Sequence, residues 1–322
     1  MRNLVSAACM LMLLASCSQQ RDYKKYTSDP LLFCKTVKHL NNVVLENNFP
    51  PMIAARNYAY ANIAAYEAMA AGNPDYASLA GQIKHLPALP GLDTNSVDFN
   101  FASLLAFCKV GEAVTFPEGS MQEYVDQLKH DADSAGMPQK VMKASQAFAD
   151  SVAAHILRWS KGDNYAQTRS FPKYTVVNED GRWVPTPPSY ASAVEPHWMK
   201  IRTLVADSCS QFKCPTPPAY NITDKNNAFY KAVMEVKNVG DSLTEEQKHI
   251  ADFWDDNPFR LNVHGHAMYA TKKFSPAGHW MNIVGIASKK AGADLPTTIS
   301  AYTVTAIAVF DGFISCWDDK YR

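Results

Sequence analysis

Apolar residues recur at helical spacing over most of the chain, which predicts a protein built mainly from α-helices. Asp29 and Pro30 suit an N-cap and a first turn, and the spacing behind them predicts a helix ending near Asn48. Further helices are expected over residues 52–71, 99–114, 121–135, 139–161, 224–237, 242–254, 266–273, 280–291 and 297–318. The predicted fold class is all-α, a multi-helix bundle.

The character of the chain changes between residues 168 and 219, where prolines concentrate and apolar runs are short. This stretch is expected to be an irregular insert within the same domain. Asp180 and Gly181 lie between β-forming residues, so residues 176–183 are the one candidate for a short β-hairpin. Trp183 and Trp198 in the insert, with Trp254 and Trp280 later in the chain, are expected to anchor the core.

The first residues combine a short positive region with an apolar run too short to span a bilayer, which is typical of a secretion signal. Leu14-Ala15-Ser16-Cys17 resembles a bacterial lipobox, in which cleavage leaves Cys17 as the lipidated first residue. The alternative is a plain signal peptide cut nearby. We therefore expect a signal over residues 1–16, a tether over 17–28, one helical domain over 29–322, and an exported protein anchored through lipid in the periplasm or cell envelope.

Composition argues against a nucleic-acid partner. Lys plus Arg and Asp plus Glu both number 31 in the 322 residues, so no net field would steer the protein to a polyanion. An apolar share of 47% is enough for a sizeable core.

Five cysteines follow Cys17, an odd number for a disulfide framework. Cys209 and Cys214 are the best candidates for a disulfide, because only four residues separate them in a loop-like stretch. Two reduced thiols are an equal alternative.

Several polar residues could carry chemistry. A zinc site could be built from His264, His266 and His279 with Asp255 or Asp256 as a further ligand. No HExxH or paired CxxC motif supports such a site, so we predict no metal site.

Arg56 and Glu67 lie on one face of an alanine-rich helix, and structural pairing is favoured over catalysis. The last helix carries acidic residues that are expected to be solvated or to pair with Lys320: Asp311, Asp318 and Asp319.

Residues 310–322, which contain Lys320, resemble the first active-site segment of vanadium-dependent haloperoxidases and type 2 phosphatidic acid phosphatases. Four upstream blocks, in the expected order, resemble haloperoxidase-like bacterial lipoproteins of this superfamily: residues 54–59, 64–68, 181–188 and 253–258. The resemblance implies that Lys320 binds a phosphate or vanadate oxyanion. It also implies phosphoester hydrolysis or peroxide-dependent halide oxidation in the full-length family, with vanadate as the cofactor of the latter.

The family site also uses an Arg-Pro six residues after the lysine, a Pro-Ser-Gly-His segment, and a Ser-Arg segment with a downstream histidine. None of these follows Lys320 in the sequence, so the resemblance implies an N-terminal portion, inactive as this chain, without catalytic residues of its own. Pro276-Ala277-Gly278-His279 is close to the second segment but precedes the lysine and lacks the serine, so we interpret it as a decoy. The rival hypothesis is a non-enzymatic helical surface lipoprotein that binds a glycan or a protein.

Overall fold

The computed structural model describes residues 22–187, 190–257, 261–264, 267–270 and 272–322. In the two four-residue stretches only the backbone is described. Its helices are α1 Tyr23–Thr27, α2 Pro30–Glu46, α3 Pro51–Ala70, α4 Phe99–Ala113, α5 Gln122–Ser134, α6 Gln139–Ser160, α7 Tyr165–Thr168, α8 Ala228–Asp241, α9 Glu245–Trp254, α10 Pro276–Ala291 and α11 Leu295–Tyr321, with a 3₁₀ turn at Trp198–Lys200. The all-α class is confirmed.

Helix α3 is the centre of the bundle. It is buried on all faces because alanines recur along it, and these small side chains let α4, α6 and α11 pack closely around it. Thr303 of α11 donates a hydrogen bond to the carbonyl of Asn62 on α3 at 3.1 Å. The predicted helix over residues 52–71 is therefore the core helix.

Helix α11 carries the chain toward the candidate site. Asp294 caps its first turn by accepting from the amide of Thr297 at 2.9 Å, and Pro296 occupies that turn. By length and hydropathy it is the one helix among the described residues that could cross a membrane. A stripe that includes Ile299, Phe310 and Ile314 is fully buried against the bundle, which is the pattern of a core helix.

The hairpin predicted over residues 176–183 is wrong, because those residues form only a turn in which Gly181 takes a φ of +81°. Most of the side chains there are exposed, so no apolar face exists to hold two strands together. The helix predicted over 266–273 is also wrong where the backbone is described, because Ala267–Ala270 (β2) is a strand that pairs antiparallel with Leu261–His264 (β1). Short apolar runs do not distinguish strand from helix by periodicity.

Within the segment predicted as a tether, residues 23–27 form helix α1, which Asp22 caps and whose buried Thr27 donates to Asp98 at 3.3 Å. The signal segment and Cys17 lie outside the described residues. The helix predicted over residues 242–254 starts slightly later, as α9, with a capping box formed by Thr244 and Gln247.

The expectation that the tryptophans anchor the core is met only in part. Trp198 is fully buried, whereas Trp254 and Trp280 are 62% and 51% exposed. Helices α8 and α9 contain no buried residue, so these two helices contribute little to the core.

Candidate functional site

Lys320 lies in the last turn of α11, where three aromatic rings surround its ammonium group. The Nζ atom is 4.8 Å from the ring centroid of Trp317, 5.3 Å from that of Tyr321 and 6.0 Å from that of Trp183. Trp317 and Lys320 are three residues apart and so share one side of the helix. The electron-rich ring faces attract the cation and fix its position.

The rings are themselves held by the irregular insert. The indole of Trp317 donates to the carbonyl of Val194 at 2.9 Å, and the hydroxyl of Tyr321 donates to the same oxygen at 3.3 Å. Tyr174 and Trp183 pack edge to face with centroids 5.5 Å apart, and both contact the ring of Tyr321. The insert thus folds over the end of α11 and makes the walls of the site.

The acidic residues of α11 make other bonds and leave the lysine without an ion pair in the described part of the chain. Asp318 pairs with Arg322, which holds the pKa of that carboxyl below its ordinary value. Asp319 accepts from the amide of Cys214 at 3.2 Å. Partial burial lowers the pKa of Lys320.

Asp311 is the clearest correction to the sequence prediction. It is buried and accepts three consecutive amides, those of Leu204 at 2.7 Å, Val205 at 2.8 Å and Ala206 at 2.9 Å. The expectation that it is solvated or paired with Lys320 is wrong, because the sequence gives no sign that the insert returns to α11.

Arg56 and Glu67 belong to separate networks. The Nε of Arg56 donates to Asp163 at 2.7 Å, and the hydroxyl of Tyr60 donates to the same carboxylate oxygen at 2.8 Å. Glu67 accepts from the Ser78 hydroxyl and the amide of Leu79, each at 2.7 Å. Both residues hold loops to α3, which agrees with the structural interpretation.

The Pro276–His279 segment starts helix α10. The Ser275 hydroxyl accepts from the amide of Gly278 at 3.3 Å, and the Gly278 carbonyl accepts from the Asn41 side chain at 3.0 Å. His279 bonds to Asp256 at 2.7 Å through Nδ1 and stacks on the ring of Trp254. These contacts give the segment a helix-capping and packing role.

No group of three or more His, Cys, Asp or Glu side chains converges on a metal position among the residues described. His264 and His266 belong to the part of the chain whose side chains are not described. The five described cysteines are free thiols, so the Cys209–Cys214 disulfide stays a prediction.

An oxyanion such as vanadate needs several donors that converge on it. Within the described chain Lys320 supplies one ammonium group, while Arg182 donates to the carbonyl of Arg322 and Arg322 pairs with Asp318. The described residues alone therefore do not fit vanadate.

The sequence resemblance predicted a role for Lys320, and no sequence prediction included the aromatic rings around it. The spacing of Trp317, Lys320 and Tyr321 was a usable signal, because residues three and four apart share a helix face. The contribution of Tyr174 and Trp183 comes from more than 130 positions earlier, and no local pattern indicates it.

The fold and the site define an all-α protein with a lysine presented at the end of a long core helix. The crystal structure of a bacterial vanadium-dependent iodoperoxidase superposes on this chain with a TM-score of 0.81 and 41% sequence identity, covering 91% of this chain and 69% of that one. No family profile matches the sequence, and no curated protein matches it significantly. The chain belongs to the vanadium-dependent haloperoxidase superfamily.

Proposed function

We propose that this chain is the scaffold part of a peroxide-dependent halide-oxidising enzyme, and that Lys320 contributes the first positive contact to its oxyanion cofactor. The observation that carries the proposal is the position of Lys320, whose ammonium is held by rings and makes no ion pair within the described chain. The similarity to an iodoperoxidase supports halide oxidation over phosphoester hydrolysis, which uses the same kind of site in this superfamily.

The described residues position Lys320 and do not supply the other contacts of an oxyanion site. The aromatic walls orient the ammonium, and the neighbouring Asp318 and Asp319 bond to Arg322 and to the Cys214 amide rather than to the lysine. Among the described residues Lys320 is the cation presented at the site, while Arg182 and Arg322 bond elsewhere, so we propose that this chain alone is inactive. Export and lipid anchoring through Cys17 are part of the same proposal and rest on the N-terminal sequence.

Oxyanion binding by Lys320 is tested by thermal unfolding with sodium orthovanadate or inorganic phosphate. A ligand that binds only the folded chain raises the unfolding midpoint. We expect weak protection that Lys320→Ala abolishes and that the control Lys109→Ala, at a 59% exposed lysine, retains.

Equal protection of the wild type and Lys320→Ala, or no protection of either, would refute an oxyanion site at this lysine. Glycan binding that survives Lys320→Ala, with no response to either oxyanion, would instead support the rival hypothesis of a non-enzymatic surface lipoprotein.

A further inference from the structure

The segment around Cys214 runs along the last turns of α11 and is attached there at two points. The Ser315 hydroxyl donates to the carbonyl of Phe212 at 3.1 Å, and the amide of Cys214 donates to Asp319 at 3.2 Å. Cys316 lies on α11 between these two attachment points.

Cys214 and Cys316 line the same open cavity of about 840 Å³, together with Ser315 and Asp319. Both cysteines are exposed free thiols, so an oxidant in solution can reach them. Cys316 and Asp319 are three residues apart on the helix, which places Cys316 on the side where Cys214 is attached.

Cys209 is engaged on a different side of the helix. Burial and then the nearby Asp318 carboxylate raise the pKa of its thiol, and Asp318 lies two positions after Cys316 and therefore about 200° around the helix axis. The short separation of Cys209 from Cys214 in sequence does not bring the two to one face of α11.

We propose that Cys214 and Cys316 form a disulfide, and that Cys209 stays reduced. The two thiols lose two protons and two electrons as the S–S bond forms, and a small-molecule disulfide accepts them and is cleaved to two thiols. The bond fixes the loop after residue 209 to the turn of α11 that carries Lys320. This proposal is independent of the proposed function.

Asp319 sets the rate of this exchange. Its hydrogen bond with the Cys214 thiol raises the pKa of that thiol, which keeps the thiol protonated at neutral pH. Since the thiolate is the attacking species, cross-linking should speed up with rising pH. Asp319→Asn keeps an acceptor for the Cys214 amide, removes the charge, and should speed cross-linking at neutral pH.

The experiment incubates the dilute 322-residue chain with oxidised glutathione, blocks the remaining thiols and digests it with trypsin without reduction. Cleavage after Lys and Arg places Cys209, Cys214 and Cys316 in separate peptides, 203–213, 214–225 and 291–320. We expect mass spectrometry of the monomer to find 214–225 joined to 291–320, with 203–213 carrying a blocked thiol. Cys209→Ser is the matched control and should give the same cross-link.

A wild-type digest in which 214–225 is joined mainly to 203–213 would overturn the proposal, as would a digest with no cross-link to 291–320. Reductant should lower the thermal midpoint of the oxidised wild type and of Cys209→Ser, but not that of Cys316→Ser. An equal effect of reductant on Cys316→Ser would also count against the assigned pair.

Discussion

Arg56 and Asp163 form a buried ion pair that joins core helix α3 to the chain just after α6. The Nε–Oδ2 distance is 2.7 Å, and the two side chains are 9% and 1% exposed. The Tyr60 hydroxyl donates to the same oxygen, and the Arg56 guanidinium lies over the rings of Tyr60 and Tyr165. Arg56, which lies in one of the blocks that resemble haloperoxidase-like lipoproteins, thus stabilises the scaffold.

Removing one partner of this pair should be strongly destabilising. Asp163→Ala leaves an uncompensated buried guanidinium, which costs about 3–5 kcal/mol of the free energy of unfolding. Urea denaturation measures this loss. The matched control is Asp150→Ala, which breaks the exposed Lys109–Asp150 pair and should cost under about 1 kcal/mol. Similar losses in both variants would contradict the role of the buried pair.

Asp311 ties the insert to α11 and should tolerate replacement poorly. Asp311→Ala leaves the amides of residues 204–206 without their acceptor, and we expect a loss of about 3 kcal/mol by urea denaturation. Asp241→Ala, which removes an exposed carboxylate paired with Lys237, should change stability by under about 0.5 kcal/mol. An Asp311→Ala variant as stable as this control would contradict the stabilising role of the three hydrogen bonds to Asp311.

Gly278 and Gly312 both lie in helices, and replacing each by alanine compares the effect of an added Cβ in a crowded and in an open position. A Cβ at Gly278 would lie 2.5 Å from Asn41 Oδ1, which also accepts from the Tyr58 hydroxyl, so Gly278→Ala should destabilise by about 1–3 kcal/mol. A Cβ at Gly312 meets nothing within 4 Å, so Gly312→Ala should stabilise by about 0.5–1 kcal/mol. Thermal or urea unfolding measures both changes, and shifts of the same sign would refute the packing argument.

The affinity for an oxyanion should fall at a lower pH than it would for a lysine with an ordinary pKa. Burial lowers the pKa of Lys320, and only the protonated amine attracts an anion, so binding is retained below the lowered pKa and lost above it. Phosphate keeps its dianionic form from about pH 8 upward, so a fall in phosphate protection below the ordinary lysine pKa of about 10.4 reports the lysine. Protection that persists unchanged up to that ordinary pKa would contradict a partly buried lysine as the binding group.

Much of the fold could be predicted because helix signals are local. Asp29 and Pro30 begin α2, and the alanine-rich pattern of α3 correctly indicates a helix packed on several faces. The hairpin was misplaced because Asp180 and Gly181 specify a turn, whereas strands also need an apolar face to pack on.

Of the candidate site, only Lys320 could be predicted from the sequence. Lys320 is visible from its sequence context, but the partner of Arg56 lies 107 positions away and the amides bound by Asp311 lie 105–107 positions away. Contacts of this separation depend on the path of the insert over α11, and proline-rich irregular chain carries no periodicity from which that path could be inferred.

The central claim of the proposed function is that this chain of the haloperoxidase superfamily contributes Lys320 as one oxyanion contact, and that its described residues do not complete an active site. The most direct measurement is peroxide-dependent iodide oxidation by the purified chain with added orthovanadate, in the wild type and in Lys320→Ala. We predict no turnover above that of orthovanadate alone for either protein. Robust wild-type turnover that Lys320→Ala abolishes would contradict the account.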